Sequence, residues 1–455
     1  MAGTSLPLKQ IVGFALVFAW CIYLFYNAGL SFPTIDILVL AHSHLGSSVS
    51  YIAVSLLLVV FAHRIGSLHD RRDPTILCGI AATASTIAIG LVEEGYLGDL
   101  WLFVAVFACG ACSAVLEIVY GEFFAAYGTK GTAVCLAASI STGFVLYFAL
   151  SFFDPFMATF PYAMLPLLGA LLLRNDGAPS AAVAGSLKEG ALSNLPLRLC
   201  IAGMLLFCVF GIVRAGGMLS SPDPTASHSR LWTLLIFVAP VFVATVIAFM
   251  LKDKNISAVF YGVIVLAVVG ALALDVPGFG FNASIACTCL GTEVLYYLTW
   301  FIMVDKLIRH RTSALFSLAV LHFFRAVGIL VGQLIGEALL VDARSTTIAM
   351  LVVLVFAALV GLGSKGMVIT LSDPAKEVIG IPKANIAALV ERYGLTAREN
   401  EIVELWCLGH SSSYIEKTFS ISHNTAKTHI AHIYQKTGAT TREELIALAK
   451  SCCDQ

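Results

Sequence analysis

Six charged side chains lie within strongly apolar segments of this chain. They are Glu117, Glu122, Arg214, Glu293, Arg325 and Glu337. If those segments cross a membrane, an ionisable group there is unfavourable unless it faces a cavity or an oppositely charged partner. These residues therefore predict either a polar binding site inside a helical bundle or ion pairs that hold its helices together.

The spacing of the neighbouring polar residues favours a shared interior site. His322 and Arg325 are three residues apart, so they lie on one helix face, as do Glu293 and Tyr296. An arginine suits a carboxylate ligand because its guanidinium donates two parallel hydrogen bonds. We expect a small-molecule site lined by Tyr23, Tyr26, Asn27, Glu117, Tyr120, Arg214, Glu293, Tyr296, His322 and Arg325. Structural ion pairing among the central charged residues is the alternative, and Glu122 and Glu337, nearer the span ends, are weaker candidates for ligand contact.

The composition requires a membrane around these residues. The chain has 455 residues, of which 59% are hydrophobic and only 12% are charged. Soluble globular chains carry roughly 25% charged residues. Much of the surface therefore cannot face water, which excludes a purely soluble enzyme, a disordered chain and a fibrous repeat. The net charge of −1 gives no global sign of nucleic-acid binding, so any such role must come from local charge.

Apolar stretches of about 20 residues, the length that crosses a bilayer, recur twelve times. Their cores are 10–31, 47–63, 75–92, 99–126, 132–152, 160–173, 197–219, 231–251, 256–275, 281–304, 313–340 and 346–363. If the N-terminus is cytoplasmic, fourteen Lys and Arg residues fall on the cytoplasmic side and two, Arg230 and Arg344, on the other. This bias predicts that both termini face the cytoplasm.

The twelve spans divide into two similar halves, residues 1–173 and 197–363, within a membrane domain of residues 1–363. Glu117-Ile-Val-Tyr120 in the fourth span matches Glu293-Val-Leu-Tyr296 in the tenth. The loop after the second span, Gly66-Ser-Leu-His-Asp70-Arg71-Arg72, resembles the Gly-x-x-x-Asp-Arg signature of the major facilitator superfamily. The resemblance implies an all-α bundle of six plus six helices around a midplane cavity.

Two of the twelve cysteines have the spacing of a redox or metal motif, Cys109-x-x-Cys112. They lie in a run of small residues, Ala-Cys-Gly-Ala-Cys-Ser, without a second pair or a clear histidine partner. In apolar segments cysteine behaves as a small hydrophobe. We interpret this pair as helix packing and expect no metal site.

The last ninety residues differ in composition from the apolar spans before them. They predict a linker over 364–391 followed by a soluble domain over 392–455. Three capping boxes predict helix starts at Thr396-x-x-Glu399, Ser413-x-x-Glu416 and Thr441-x-x-Glu444. Ser422 is a further N-cap candidate before a helix from about His423 to Lys436, and Gly409 and Gly438 are placed to end helices. No acid lies between Lys417 and Arg442. Four short helices with one acid-free basic stretch predict a helix-turn-helix that meets phosphate.

The motifs Leu395-Thr-Ala-Arg-Glu399, Ile421-Ser-x-x-Thr425-Ala-Lys427-Thr-His429 and Lys436-Thr-Gly438 closely resemble the LuxR-type helix-turn-helix. The resemblance implies that the third helix enters the major groove and that the fourth dimerises. By position, it implies groove contacts from Lys427, Thr428 and Ala431 and phosphate contacts from Thr425 and Lys436. A protein-binding helical bundle without a DNA target is the alternative.

These features together predict a membrane-embedded one-component transcription regulator. Its partners would be double-stranded DNA, an unknown small molecule and the lipid bilayer, and it would bind DNA as a homodimer in the inner membrane of a bacterial cell. The alternative is a secondary transporter of the major facilitator type with a regulatory tail. We expect no cofactor and no catalytic residues, since the sequence lacks a nucleophile elbow, a phosphate loop and a metal-ligand cluster.

Overall fold

The computed structural model describes residues 7–26, 35–68, 71–153, 155–173, 195–220, 254–255, 257–273, 280–310, 312–339, 343–362, 368–369, 383–407, 412–419, 421–439, 444–445 and 448–449. These residues fall into two compact units, which divide between Leu371 and Ser372. Each unit has its own hydrophobic core. The first is a membrane domain and the second is a small helical domain.

Long apolar helices build the membrane domain, because in hydrocarbon a helix satisfies its backbone hydrogen bonds within one segment. The first half contains α1 Leu8–Cys21 (continued by a π-helical turn, Ile22–Tyr26), α2 Ile37–Ile65, α3 Arg72–Glu93, α4 Asp99–Ala125, α5 Gly128–Leu150 and α6 Pro155–Leu172. The second half contains α7 Leu197–Ser220, α8 Ser257–Ala273, α9 Gly280–His310, α10 Ala314–Leu339 and α11 Ala343–Leu362. Eight helices among the described residues are long and apolar enough to cross a membrane, and two shorter apolar helices accompany them.

Eleven of the twelve predicted cores coincide with these helices, and the eighth, 231–251, lies outside the described residues. The sixth, the shortest of the predicted cores, forms a helix that contains both Pro161 and Pro166. Large apolar side chains such as Leu57, Val60 and Leu359 are exposed on the outer surface of the bundle. Such a surface is stable against lipid and not against water.

Small residues let neighbouring helices approach closely. The most extensive helix contact among the described residues joins α7 to α10, where a β-carbon at Gly332 would overlap the Cys208 carbonyl. Cys109 and Cys112 are buried free thiols in α4, and the glycine between them packs against the backbone of Ser47 in α2. Both cysteines therefore lie at a buried contact between helices.

A short strand pair ends the membrane domain. Strand β1, Lys254–Asn255, precedes α8, and strand β2, Val368–Ile369, follows α11. The strands pair antiparallel, with Lys254 opposite Ile369 and Asn255 opposite Val368. The loop between the predicted eighth and ninth spans is thereby joined to the segment that leads towards the second unit.

The second unit contains α12 Lys383–Tyr393, α13 Ala397–Cys407, α14 Ser412–Phe419 and α15 His423–Thr437. Helix α12 corrects the predicted linker of 364–391. Ile386 and Leu389, one helical turn apart, are buried in the core of this unit, so the folded domain begins before residue 392.

Local capping explains where these helices start and stop. Thr396 and Glu399 exchange hydrogen bonds as a capping box predicts, with Thr396 N to Glu399 Oε2 at 2.8 Å and Glu399 N to Thr396 Oγ1 at 3.3 Å. Ser422 accepts from Thr425 N at 3.1 Å, and Gly438 ends α15 with φ of 73°.

The other predicted caps are corrected or fall outside the described residues. Ser413 lies inside α14, which starts at Ser412, so it is not the N-cap of that helix. Gly409 and Thr441 are outside the described residues.

Candidate functional site

An arginine between two carboxylates joins the halves of the membrane domain. Arg325 in α10 has Nη1 3.4 Å from Glu117 Oε2 in α4 and Nη2 3.7 Å from Glu293 Oε1 in α9. Its guanidinium also lies over the rings of Tyr296, at 4.4 Å, and Phe207, at 5.5 Å. Since Glu117 belongs to the first half, its ion pair with Arg325 crosses between halves. Two acids and two aromatic faces together compensate one cation.

Glu117 is the acid that the first half contributes to this cluster. Its Oε2 accepts a hydrogen bond from the Tyr51 hydroxyl at 2.9 Å, besides the contact with Arg325. Its Oε1 is contacted by the Cys21 thiol at 3.7 Å, and a thiol is a weak donor. One carboxylate oxygen is therefore strongly hydrogen-bonded, while the described contact of the other is weak.

His322 is fully buried behind this pair. Its Nδ1 lies 2.8 Å from the Leu318 carbonyl, which can only accept, so Nδ1 carries a proton. In the neutral imidazole Nε2 then accepts from the Tyr296 hydroxyl at 3.1 Å. The Tyr51 ring stacks on the imidazole at 6.3 Å from the other half. These contacts fix the orientation of the aromatic groups around Arg325.

A cavity opens beside the ion pair. It is lined by Cys21, Phe25, Ser47, Ser48, Tyr51, Gly110, Ser113, Glu117, Arg214, Arg325, Ala326 and Ile329. Both halves contribute to the lining. The wall combines apolar surface with a few polar groups, as small-molecule pockets do.

Close helix packing lies near the ion pair, towards the C-terminal end of α4. Gly121, one turn beyond Glu117, packs against Trp300 of α9 so closely that a β-carbon there would lie 2.6 Å from the indole. Leu318 of α10 also approaches this glycine. The two halves are therefore in direct contact one helical turn from the ion pair.

The structure brings together most of the charged residues that the sequence singled out. Glu117, Glu293, Tyr296, His322 and Arg325 form one cluster. Arg214 lines the same cavity and donates from Nη2 to the carbonyl of Phe25, again across the halves.

Other predicted residues lie elsewhere. Tyr120 is fully buried within the first half and donates to the Gly169 carbonyl at 2.7 Å, and Tyr23 pairs with Thr159. Tyr26 ends the π-helical turn, its side chain is outside the described set, and Asn27 is outside the described residues.

The acids near the span ends have local partners. Glu122 accepts from the backbone N–H of Leu68 at 2.9 Å, which ties α4 to the loop after α2. In that loop Gly66 has φ of 72°, a conformation that favours glycine. Glu337 accepts from Gln333 on its own helix.

Sequence reasoning missed Tyr51, Cys21 and Phe25, which line the cavity. Tyr51 follows a polar run, Ser47-Ser-Val-Ser, in an otherwise apolar helix. Hydroxyl residues clustered in a membrane helix are a usable signal for a cavity face. Nothing in the sequence around Cys21 or Phe25 distinguishes them from their apolar neighbours.

The second unit presents the predicted recognition helix, α15. Its apolar stripe of Ala426, Ile430 and Ile433 is buried in the domain core. On the opposite face, Thr425, Lys427, Thr428 and Ala431 are exposed. The Thr428 hydroxyl donates to the Asn424 carbonyl at 2.9 Å, so its oxygen remains able to accept.

Lys436, the fifth residue predicted to contact DNA, is exposed but forms an ion pair within its own domain. Its Nζ lies 2.6 Å from Glu399 Oε2 and 3.4 Å from the Gly394 carbonyl. Burial opposes ionisation of Glu399, but the Lys436 ammonium and the donors of Thr396 lower its pKa to about 2. A phosphate contact by Lys436 therefore has to share this lysine with Glu399.

Comparisons with known proteins identify both units. The family model GerE, bacterial regulatory proteins of the luxR family, matches residues 394–449. The chain thus carries a LuxR-family helix-turn-helix domain at its C-terminus. A search of the curated proteins found no match.

The membrane domain has the fold of the major facilitator superfamily. It is similar to the human organic anion transporter MFSD10, at 14% identity and TM-score 0.56 over 78% of this chain and 98% of that one. A bacterial homologue of the iron transporter ferroportin, in an outward-facing state, matches at 15% identity and TM-score 0.54 over 80% and 98%. The proton:xylose symporter XylE matches at 13% identity and TM-score 0.53 over 79% and 94%. Neither unit is of an enzymatic family.

Proposed function

We propose that this protein is a membrane-embedded one-component transcription regulator. In this proposal the bundle binds a small molecule in its central cavity, and the LuxR-type domain binds promoter DNA at the cytoplasmic face of a bacterial inner membrane. One observation supports this proposal above all. The same chain contains a charged cavity between two bundle halves and a helix-turn-helix with an exposed polar face.

Coupling between the two functions would pass through the end of the membrane domain. Strand β2 lies two residues before the boundary of the second unit and pairs with the loop that precedes α8. A rearrangement of the second half would displace this loop and, with it, the start of the connecting segment. A ligand can bias such a two-state equilibrium only by its differential affinity for the two states.

DNA binding would use α15 in the major groove and a second copy of the chain. Lys427 would donate to base edges or phosphate, Thr428 would accept from a base amino group, and the methyl group of Ala431 would contact a thymine methyl. Palindromic half-sites about one helical turn apart are expected for a dimer. Both chain termini would face the cytoplasm, as the distribution of loop charges predicts.

The test of the regulator is binding of the purified full chain to the DNA upstream of its own gene. Lys427→Ala is expected to weaken binding about tenfold and to lower the slope of log affinity against log salt by about 0.9. Arg392→Ala removes the same charge from the exposed end of α12 and serves as the matched control. Equal losses for the two variants would exclude α15 as the recognition helix.

A secondary transporter with a regulatory tail is the second candidate, favoured by the acids Glu117 and Glu293 beside the cavity, which would serve a proton relay. Reconstituted uptake distinguishes the two functions. Uptake that persists after removal of residues 364–455 would favour the transporter, whereas a ligand response in transcription without uptake would favour the sensor.

A further inference from the structure

His44 in α2 is a buried polar side chain whose hydrogen-bonding groups are not used within the described part of the chain. The residue is 2% exposed, and neither Nδ1 nor Nε2 has a hydrogen-bond partner among the described residues. A neutral imidazole has one N–H donor and one acceptor nitrogen. Leaving both unmet in the interior is unfavourable, and such a group in a native structure needs an explanation.

His44 continues a row of polar residues along one face of α2. The row consists of His44, Ser47, Ser48 and Tyr51. These residues are at positions i, i+3, i+4 and i+7, which share one face of a helix. The last three members line the central cavity. His44 therefore lies one turn further along the helix face that forms the cavity wall, towards the N-terminal end of α2.

The aromatic neighbour of His44 belongs to the same wall. The imidazole packs edge-to-face on the ring of Phe25, with the ring centroids 6.0 Å apart, and Phe25 lines the cavity. Phe25 lies in the π-helical turn Ile22–Tyr26 that continues α1, and such turns are frequent at functional sites. Cavity-lining residues therefore lie beside His44 both on its own helix and on the turn after α1.

The groups that this row offers to a ligand are uncharged. The Ser47 hydroxyl donates to the His44 carbonyl at 2.7 Å, and the Tyr51 hydroxyl donates to Glu117 Oε2 at 2.9 Å. Each hydroxyl oxygen keeps lone pairs that can accept a hydrogen bond. No described carboxylate bonds the imidazole of His44, so this buried group is neutral and adds one donor and one acceptor. The row therefore matches an uncharged group that both donates and accepts.

On the premise of the proposed sensing function, we propose that His44 is a ligand-binding residue of the central cavity and that its ligand carries a carboxamide or hydroxyl group. This group hydrogen-bonds the imidazole and the neighbouring serine hydroxyl of Ser47, while the apolar part of the ligand packs on Phe25. Tyr51, at the other end of the row, donates to Glu117. A ligand along this row therefore also lies beside the ion pair that joins the halves.

Substitution by leucine distinguishes a ligand contact from a structural histidine. His44→Leu removes two unmet polar groups, so it is expected to raise the thermal unfolding midpoint of the ligand-free full chain by about 3 °C. His322→Leu is the matched control, because His322 is equally buried but bonds the Leu318 carbonyl and the Tyr296 hydroxyl. This control removes two hydrogen bonds and should lower the midpoint. An unchanged or lowered midpoint for His44→Leu would overturn the proposal.

Acylation by diethyl pyrocarbonate tests access to His44 in the native chain. The reagent modifies uncharged imidazole nitrogens, and peptide mass spectrometry reads each histidine of the full chain in nanodiscs. We expect His44 to react about tenfold faster than His322, whose two nitrogens are already bonded. Exposed His432 in α15 gives the rate for free access. Modification of His44 no faster than that of His322 would overturn the proposal.

A matched series of fragments then tests the ligand class. Phenylacetamide, phenylacetate and benzyltrimethylammonium share a benzyl group and differ in charge. Phenylacetamide is expected to protect His44 from acylation at about tenfold lower concentration than either charged fragment, because a charge beside this neutral row would be buried without a partner. Equal or better protection by a charged fragment, or protection by none of the three, would overturn the proposal. Promoter binding by the full chain is measured independently, so failure of this series leaves the regulator itself intact.

Discussion

Neutralising Glu399 is expected to destabilise the C-terminal domain by about 2 kcal/mol at neutral pH. Burial raises the cost of ionising this carboxyl, but the Lys436 ammonium at 2.6 Å and the Thr396 donors lower its pKa from 4.5 to about 2. A drop of about 2.5 units corresponds to about 3 kcal/mol. Solvent screening reduces this, because 35% of the Lys436 side chain is exposed. Glu399→Gln keeps the shape of the side chain and removes the charge.

The pH dependence identifies the cause of this stabilisation. Because the pKa of Glu399 is lowered on folding, its contribution is complete above about pH 4.5 and is lost as the pH falls towards about 2. The difference in free energy of unfolding between the wild-type domain and Glu399→Gln should therefore shrink over this window. Urea denaturation followed by circular dichroism measures it on residues 372–455, a compact unit with its own core.

Glu401→Gln is the matched control for this experiment. Its carboxylate pairs with Arg398 three residues away, but 53% of the Glu401 side chain is exposed. Such a surface pair contributes less than about 1 kcal/mol. Equal destabilisation by the two variants, or a Glu399→Gln deficit that persists at about pH 2, would refute the buried ion pair as the source of the stability.

Three further changes test the membrane domain. Arg325→Gln should lower the stability of the purified full chain by about 3 kcal/mol or more, because it leaves two buried acids together. Glu117→Gln should have a much smaller effect, because Arg325 then stays paired with Glu293. Equal shifts in thermal unfolding for the two variants would contradict this. Gly121→Leu should force α4 away from α9, since even an added β-carbon would lie 2.6 Å from the indole, and thermal unfolding should show a larger loss than for Gly121→Ala. Val368→Pro should abolish the transcriptional response to ligand while DNA binding by the full chain stays intact, and an unchanged response would exclude coupling through the strand pair.

Most of the fold was predictable because the bilayer restricts the chain so strongly. A continuous apolar run of span length has one stable backbone conformation in hydrocarbon, and eleven predicted spans coincide with helices. Helix α12 was not predicted, because its 11 residues carry only a short amphipathic pattern beside a segment rich in proline and polar residues. What stabilises α12 is the burial of Ile386 and Leu389 against the rest of its domain. Helix α12 packs on α13, the next helix in the chain, and this contact forms only when both helices are folded.

The candidate site was predictable for the central charges and only in part for the aromatic residues, because Tyr296 was predicted correctly whereas Tyr120 lies elsewhere. Glu117, Glu293 and Arg325 had to find partners in hydrocarbon, and they found each other. Tyr120 and Tyr51 carry the same hydroxyl, and both hydroxyls are satisfied, one by a backbone carbonyl and the other by Glu117. A membrane helix that is apolar on all sides has no periodic polar face to show which way a tyrosine points. Only the packed structure separates these two roles.

The ion pair between halves also sets how strongly a ligand could control DNA binding. If a ligand binds the conformation with Glu117 freed from Arg325 about a hundredfold more tightly than the paired one, it shifts the equilibrium by about 2.7 kcal/mol. That moves a population from about one in ten to about nine in ten, which is enough for a transcriptional switch. The pair contributes little net free energy, because Arg325 keeps Glu293 and two aromatic rings when Glu117 is released. We therefore expect a triad with a spare acid to switch more easily than a simple pair. For the same reason we expect Glu117→Gln to be mild and a ligand to act through Glu117.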